Sequence, residues 1–441
     1  MNKQAREMSG ELLAFIKESP TCFHAVKAQA DRLRAEGFEE LFEEDSWSLA
    51  EGGRYFVTRG QSSLIAFQLH RKDFKGFRIM ASHSDSPSFK IKENPEMEAE
   101  GWYGKLNVEK YGGMLCAPWF DRPLSAAGRL AVRTEEGVAV RLVNIDRDLL
   151  LIPSLAIHMN REVNDGYKYN VQKDMLPVYA GRENKGSFME IVAECAGVRK
   201  EDILGHDLFL YNRTPGVIWG AGEEFVSSPR LDDLQCAFAS LKGFLAGAHS
   251  DSVPIHAVFD NEEVGSCTRQ GADSTFLADV LSRINRGAGR DGEAYLRALA
   301  SSFMISADNA HAVHPNQGDK ADPVNRPLMN EGIVIKYHGD QQYTTDAVSA
   351  ALFKEICRRA DVPFQTFTNR SDMRSGSTLG NLSSSHVAVS AVDIGLPQLA
   401  MHSPYETAGV LDTWYLVRAA REFFSCGLDM RRGIWHMGEE K

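Results

Sequence analysis

The stretch SVPIHAVFDNEEVGS, Ser252 to Ser266, decides how this chain folds. A strand-like apolar run delivers the chain straight into three acids, Asp260, Glu262 and Glu263. The segment before it, LDDLQCAFASLKGFLAG, reads as a helix, and so do STFLADVLSRINR and EAYLRALASS after it. Further on, FMISADN, EGIVIKYH, PFQTFTN and AVSAVDIGLPQLAMHS read as strands, interleaved with the helices TDAVSAALFKEICRRADV and DTWYLVRAAREFFSCG. Strands alternating with helices predict an α/β sheet covered on both faces. Neighbouring side chains of an extended segment point to opposite sides. Two adjacent glutamates that both faced a cleft would repel, and would need a cation.

Upstream, Gln4 to Glu18 has the pattern of an amphipathic helix, with Leu12, Leu13, Phe15 and Ile16 inward and Pro20 as its stop. CFHAVKAQADRLRAEGF repeats that pattern. GGRYFVTRG, SSLIAFQLH and GFRIMASHSD then read as strands, too few to close a core alone. From about Pro95 the texture becomes mostly β. YGGMLCAPWFDRPLSAAGRLAVRTEEGVAVRLVNID is hairpin-like, with Glu135, Glu136 and Gly137 at the turn. LLLIPSLAIHM and DLFLYN add strand-like runs around one helix near GSFMEIVAECAGV. The expected fold is therefore α/β, a mixed central sheet flanked by helices. It would be built from residues 1–95 and 227–441 and interrupted by a β-rich inserted domain over 96–226, an arrangement tolerated when the ends of an insert lie close together.

A net charge of −11 argues against nucleic acid or an anionic membrane as the main partner. The seven cysteines are scattered with no C-x-x-C pair, which excludes a disulfide framework and a zinc knuckle from the expectation. With no signal-peptide core or membrane-length apolar run, the expected setting is the cytoplasm.

Polar clusters stand at the ends of the predicted strands. RIMASHSDS supplies His83 and Asp85, and SSPRLDDLQ supplies Asp232 and Asp233 at a loop-to-helix boundary. FMISADNAHAVHPN supplies Asp308, His311 and His314, and LPQLAMHSPYE supplies His402 and then Glu406. Singly, each has an ordinary structural account, such as a His–Asp hydrogen bond, a helix cap or a solvated turn. Jointly they fall where open α/β sheets bind ligands, at the carboxyl ends of strands. A nitrogen and oxygen set without thiolate suits two divalent cations, zinc first, with manganese or cobalt as alternatives. Asp232, Glu263, Asp308 and a bridging hydroxide would neutralise the pair. Glu262 is then left free as a general base, and Asp85 as the carboxylate behind the His83 imidazole.

In order and context, ASHSDSP, SPRLDDL, DNEEVGS, SADNAHAVHPN and QLAMHS resemble the aspartyl aminopeptidase family of dinuclear zinc exopeptidases. The resemblance covers nearly the whole chain. YGGMLCAPWFDRPLSAAGR and LAIHMNREVN look like that family's inserted domain. It implies that His83, Asp232 and Asp308 hold one metal and that Asp232, Glu263 and His402 hold the other. Asp232, rather than Asp233, would bridge. It also implies Glu262 as general base, Lys336 in IVIKYH as the partner of an acidic substrate side chain, and His158 in LAIHMN reaching a neighbouring subunit's active site. The implied activity is release of N-terminal residues, preferably Asp or Glu, from peptides, by a homododecamer built from dimers. MRSGSTLGNLSS diverges from the family, which bears on side-chain preference. The alternatives are an aminopeptidase of neutral N-termini, a dinuclear amidohydrolase or deacylase, and a non-catalytic oligomeric scaffold.

Overall fold

The computed structural model describes residues 2–248, 251–373, 376 and 378–438. Its centre is a nine-stranded mixed sheet. The strand order is Glu39–Leu41, Gly53–Arg59, Ser63–Leu69, Val253–Phe259, Phe77–His83, Phe303–Ala307, Ser390–Gly395, Ile333–Lys336 and Phe364–Phe367. Four adjacent strands in the middle, Val253–Phe259 to Ser390–Gly395, are mutually parallel, so their carboxyl ends share one edge. Phe77–His83 and Val253–Phe259 are buried at every residue. That is why they read as continuous apolar runs rather than alternating ones.

Helices close both faces. On one side Cys22–Ala35, Leu231–Ala246, Ala347–Arg359 and Val410–Ser425 bring Leu33, Phe244, Phe353 and Phe423 onto the sheet. On the other, Phe276–Gly287 contributes Phe276, Leu281 and Ile284, and Gly292–Ala300 contributes Ala298. The α/β architecture is the one the alternation predicts. The helix predicted for Gln4–Glu18 spans Lys3–Glu18, and Ser19 and Pro20 follow it.

A separate six-stranded sheet draws all its strands from Ser88–Asn212, beginning upstream of Pro95, and has its own core around Phe89, Trp119, Leu130 and Phe188. Its hairpin Leu124–Thr134 with Gly137–Asn144 turns at Glu135 and Glu136, as the sequence suggests. The run LLLIPSLAIHM forms no strand. It makes isolated bridges at Leu150–Ile152 and a short helical turn at Ile157–Met159. Pro153 removes a backbone donor within that run.

A third, five-stranded sheet was not foreseen. Its strands are short: Val217–Trp219, Phe225–Ser228, Glu406–Gly409, Pro397–Leu399 and Ala310–His311. It gathers three distant segments beside the carboxyl edge of the main sheet.

Candidate metal centre

Each cluster found at a predicted strand end sends at least one group to this edge, although His311 and His314 of the Asp308 cluster are exposed and His314 Nδ1 accepts the Asn316 N–H. Phe77–His83 ends on His83, which is fully buried. Phe303–Ala307 hands the chain to Asp308. The sequence reading placed His402 at a strand end. Instead, the strand stops at Leu399 and His402 lies in the following turn with φ +66°. The premise of an extended chain at Glu262 and Glu263 also fails. Asn261 adopts φ +63° and Glu262–Val264 is a single 3-10 turn. The two glutamates are neighbours within that one turn, so its rotation, not strand alternation, sets their directions. Asp232 and Asp233 sit at the start of Leu231–Ala246 but keep non-helical dihedrals, and a cis peptide joins them.

The distances define a compact group. His83 Nε2 lies 3.5 Å from Asp232 Oδ1 and 3.8 Å from Asp308 Oδ1. His402 Nε2 lies 3.4 Å from Asp232 Oδ2 and 3.3 Å from Glu263 Oε2. Asp232 thus faces both imidazoles, one with each oxygen. Ligand atoms of His83, Asp232 and Glu263 fall within 4.8 Å of one another, as do those of Asp232, Asp233 and Asp308. Asp233 Oδ2 is engaged otherwise, accepting the His83 main-chain N–H at 3.1 Å.

A second tier holds these groups. His83 Nδ1 is 3.1 Å from the Asp85 carbonyl and 3.4 Å from its carboxylate. Asp85 also accepts the Tyr111 hydroxyl at 2.6 Å and the Glu262 and Glu263 main-chain N–H groups at 3.2 Å each. Asn261 Nδ2 donates to the Tyr111 oxygen at 2.9 Å. Tyr111 ends a strand of the six-stranded sheet, so that layer reaches the centre through its hydroxyl, and just beyond it the Leu115 N–H donates to the His402 carbonyl at 3.2 Å. Glu406, quoted in the sequence only as a neighbour of His402, accepts the main-chain N–H groups of Asp232 and His402. Tyr111 and Glu406 act across the fold, and nothing in their local sequence marks them.

Several buried atoms of this group have no hydrogen-bond partner: His83 Nε2, Asp232 Oδ1, Asp233 Oδ1 and Glu263 Oε1. Buried polar atoms are ordinarily satisfied, and leaving one bare costs about 1–3 kcal/mol. Cations between them meet that demand. The electrostatics agree. Burial, then the Asp232 charge, pushes the Glu263 carboxyl well above its usual range. Burial, then the neighbouring carboxylates, takes Glu262 up to about 8, against an opposing pull from His83. Burial would raise Asp232 too, but the His402 and His83 imidazoles outweigh it and hold it low. A divalent cation, the largest local charge in such a site, would turn this excess of acid into a ligand field.

Lys336 is buried at the end of Ile333–Lys336, with Nζ 3.5 Å from Asp308 Oδ2. Burial alone would lower its pKa, yet the Asp308 carboxylate raises it, so the ammonium stays charged. His158 is exposed on the turn Ile157–Met159. Among the described residues no hydrogen bond or ion pair links it to the cluster. Arg374, Ser375 and Ser377 of the divergent MRSGSTLGNLSS segment lie outside the described residues.

Comparison with known proteins agrees with this geometry. The family model for aminopeptidase I zinc metalloprotease (M18) matches residues 15–424. A probable M18 family aminopeptidase 2 from Clostridium acetobutylicum is 48% identical over 431 residues, which is 96% of this chain and all of the relative. Among solved structures, the complex of Ape4 and Nbr1 contains a chain 35% identical with a TM-score of 0.92, covering 96% of this chain and 86% of that one. The S. cerevisiae mApe1 dodecamer matches at 28% identity and a TM-score of 0.83, covering 95% and 96%.

Proposed function

The chain belongs to the M18 family of zinc aminopeptidases, and from that premise we propose that it removes acidic N-terminal residues from peptides with two cations held at the carboxyl edge of its main sheet. His83, Asp232 and Asp308 would hold one cation. Asp232, Glu263 and His402 would hold the other, with Asp232 shared because its two oxygens face different imidazoles. When bound, zinc supplies Lewis acidity, polarising a carbonyl and acidifying water.

The chain's own residues do the rest. Glu262 belongs to neither ligand set, and its affinity for protons suits a base that takes one from water and returns it to the leaving amine. Asp85 holds the Nδ1 side of His83, so that Nε2 faces the cluster.

The acid preference rests on one observation, a buried ammonium kept charged beside the ligands. A substrate carboxylate that reached Lys336 would find a cation already stripped of water. The pairing of Lys336 with Asp308 supports a second reading, in which the lysine only steadies a ligand and neutral N-termini are accepted. N-terminal Asp, Glu and Leu chromogenic amides separate the two. In Lys336→Met the Asp-to-Leu ratio of kcat/KM should fall by about 30-fold or more, the cost of losing about 2 kcal/mol of buried charge pairing. An unchanged ratio refutes the acid preference.

We also infer a homo-oligomer, with the layer between residues 96 and 226 as its assembly domain and His158 serving a neighbouring subunit's site. Leu155, Ile157 and Met159 flank His158 and are 55%, 48% and 69% exposed, an apolar patch of the kind a second copy covers. The relative mApe1 forms a dodecamer. A cytoplasmic setting suits the seven free thiols. Among the described residues no helix is long and apolar enough to cross a membrane.

A further inference from the structure

Two of the groups assigned above as ligands hang from one carboxylate. Glu406 is 2% exposed. Its Oε2 accepts the Asp232 N–H at 3.0 Å and its Oε1 accepts the His402 N–H at 2.8 Å. These amides belong to distant segments. Asp232 follows the strand Phe225–Ser228, and His402 stands between Pro397–Leu399 and Glu406–Gly409. The register of the small sheet sets Glu406 opposite Ser228, which brings its side chain to the corner where both segments leave the sheet. The His402 turn also needs holding, because φ +66° is a conformation that residues with a Cβ rarely adopt.

We propose that Glu406 is a positioning residue acting chiefly on the second cation, two of whose three ligands it holds, against one of the first cation's three. It clamps the main chain of Asp232 and His402 so that Asp232 Oδ2 and His402 Nε2 meet Glu263 at one point. It touches neither cation nor substrate. The first cation has a different anchor, since the His83 main-chain N–H is held by Asp233. Only Asp232 is common to both ligand sets, so loss of Glu406 weakens the second site more than the first. This rests on the ligand assignment proposed above.

The perturbed protein has room to survive. Glu406 lines a cavity of about 170 Å³ between the main sheet and the six-stranded sheet, together with Asp85, Tyr111 and Asn212. Water entering this polar space can take up an amide that loses its acceptor.

The test is stepwise zinc binding to metal-free protein, read by competition with a chromogenic chelator. Glu406→Gln keeps the size but offers only one acceptor, and its NH2 opposes the second amide. Wild type is expected to bind two zinc ions. The variant should bind the second about 10- to 100-fold more weakly, the usual cost of losing an outer partner of a metal ligand, and should lose clearly less at the first, whose sole ligand on the clamp is Asp232. Unchanged affinity at both steps overturns the proposal. So does equal weakening of both, which marks a general loss of structure. Glu406→Asp, one methylene too short to reach both amides, should show the same split. Amide hydrogen exchange on metal-free wild type tests the clamp without any variant. The Asp232 and His402 amides should be protected, and rapid exchange at either overturns it. Should wild type itself bind fewer than two zinc ions, the ligand assignment fails rather than the clamp.

Discussion

Replacing Asp85 with asparagine alters a group on which four donors converge. Oδ1 faces His83 Nδ1 at 3.4 Å and accepts the Glu262 N–H at 3.2 Å. Oδ2 accepts the Tyr111 hydroxyl at 2.6 Å and the Glu263 N–H at 3.2 Å. Asparagine keeps one oxygen. Whichever way the amide points, its NH2 meets one of the two glutamate N–H groups and leaves it bare. At 3% exposure water cannot easily replace the acceptor, so about 1–3 kcal/mol is lost there. The imidazole fares better. The Asp85 carbonyl, at 3.1 Å, still holds Nδ1, so the tautomer that aims Nε2 at the cluster survives. What His83 loses is the negative charge behind it, worth about tenfold to a hundredfold in metal affinity, or about 1.4–2.7 kcal/mol. With the carbonyl retained, the expected loss lies near the lower figure, about tenfold, accompanied by a lower melting temperature. Zinc affinity by chelator competition reads the first effect and calorimetry the second. Tyr111→Phe removes one donor and leaves the carboxylate, so its loss should be the smaller. Zinc affinity of Asp85→Asn within twofold of wild type would refute the role given to Asp85.

Two further outcomes follow from the same geometry. Glu262→Gln should retain zinc at wild-type stoichiometry while kcat falls by at least about a hundredfold, as measured by elemental analysis beside steady-state kinetics; robust turnover would remove Glu262 as the base. His256 is buried between Ser240 and Gln29, and burial takes its pKa down to about 3. The unfolded chain therefore binds this proton first, and metal-free protein should lose stability as pH falls below about 6.5, by about 2 kcal/mol at about pH 5. His256→Gln should flatten that part of the melting-temperature profile, and an unaltered slope would show that another group carries it.

Much of this site is legible in the sequence because its chemistry sits where buried parallel strands end. Such strands are apolar throughout, so a sudden His-x-Asp or Asp-Asn-Glu-Glu after one stands out. His83 ends one such strand, Glu263 and Asp308 follow two others and Asp232 stands at a helix start, whereas His402 lies in a turn after a short strand of the small sheet. The rest was hidden for physical reasons. The strands of the five-stranded sheet have two to four residues, too few for any periodicity to register. The left-handed turns at Asn261 and His402 fall on residue types that enter that region more often than most, but a single Asn or His is too weak a signal to place a turn. Tyr111 and Glu406 matter only through partners far along the chain. His158 offers no chemistry within one subunit, and its role came from resemblance alone.

The small sheet also imposes an order on events at the ribosome. Its closing strand, Glu406–Gly409, arrives after every segment that bears a proposed ligand has been made. Until that strand docks beside Phe225–Ser228, the segments bearing Asp232 and His402 have no common anchor. A nascent chain can fold its early helices and hairpins well before then, but it offers no finished cradle for zinc. Uptake of the second cation should thus wait for this strand, and fragments truncated before Glu406 should emerge without it.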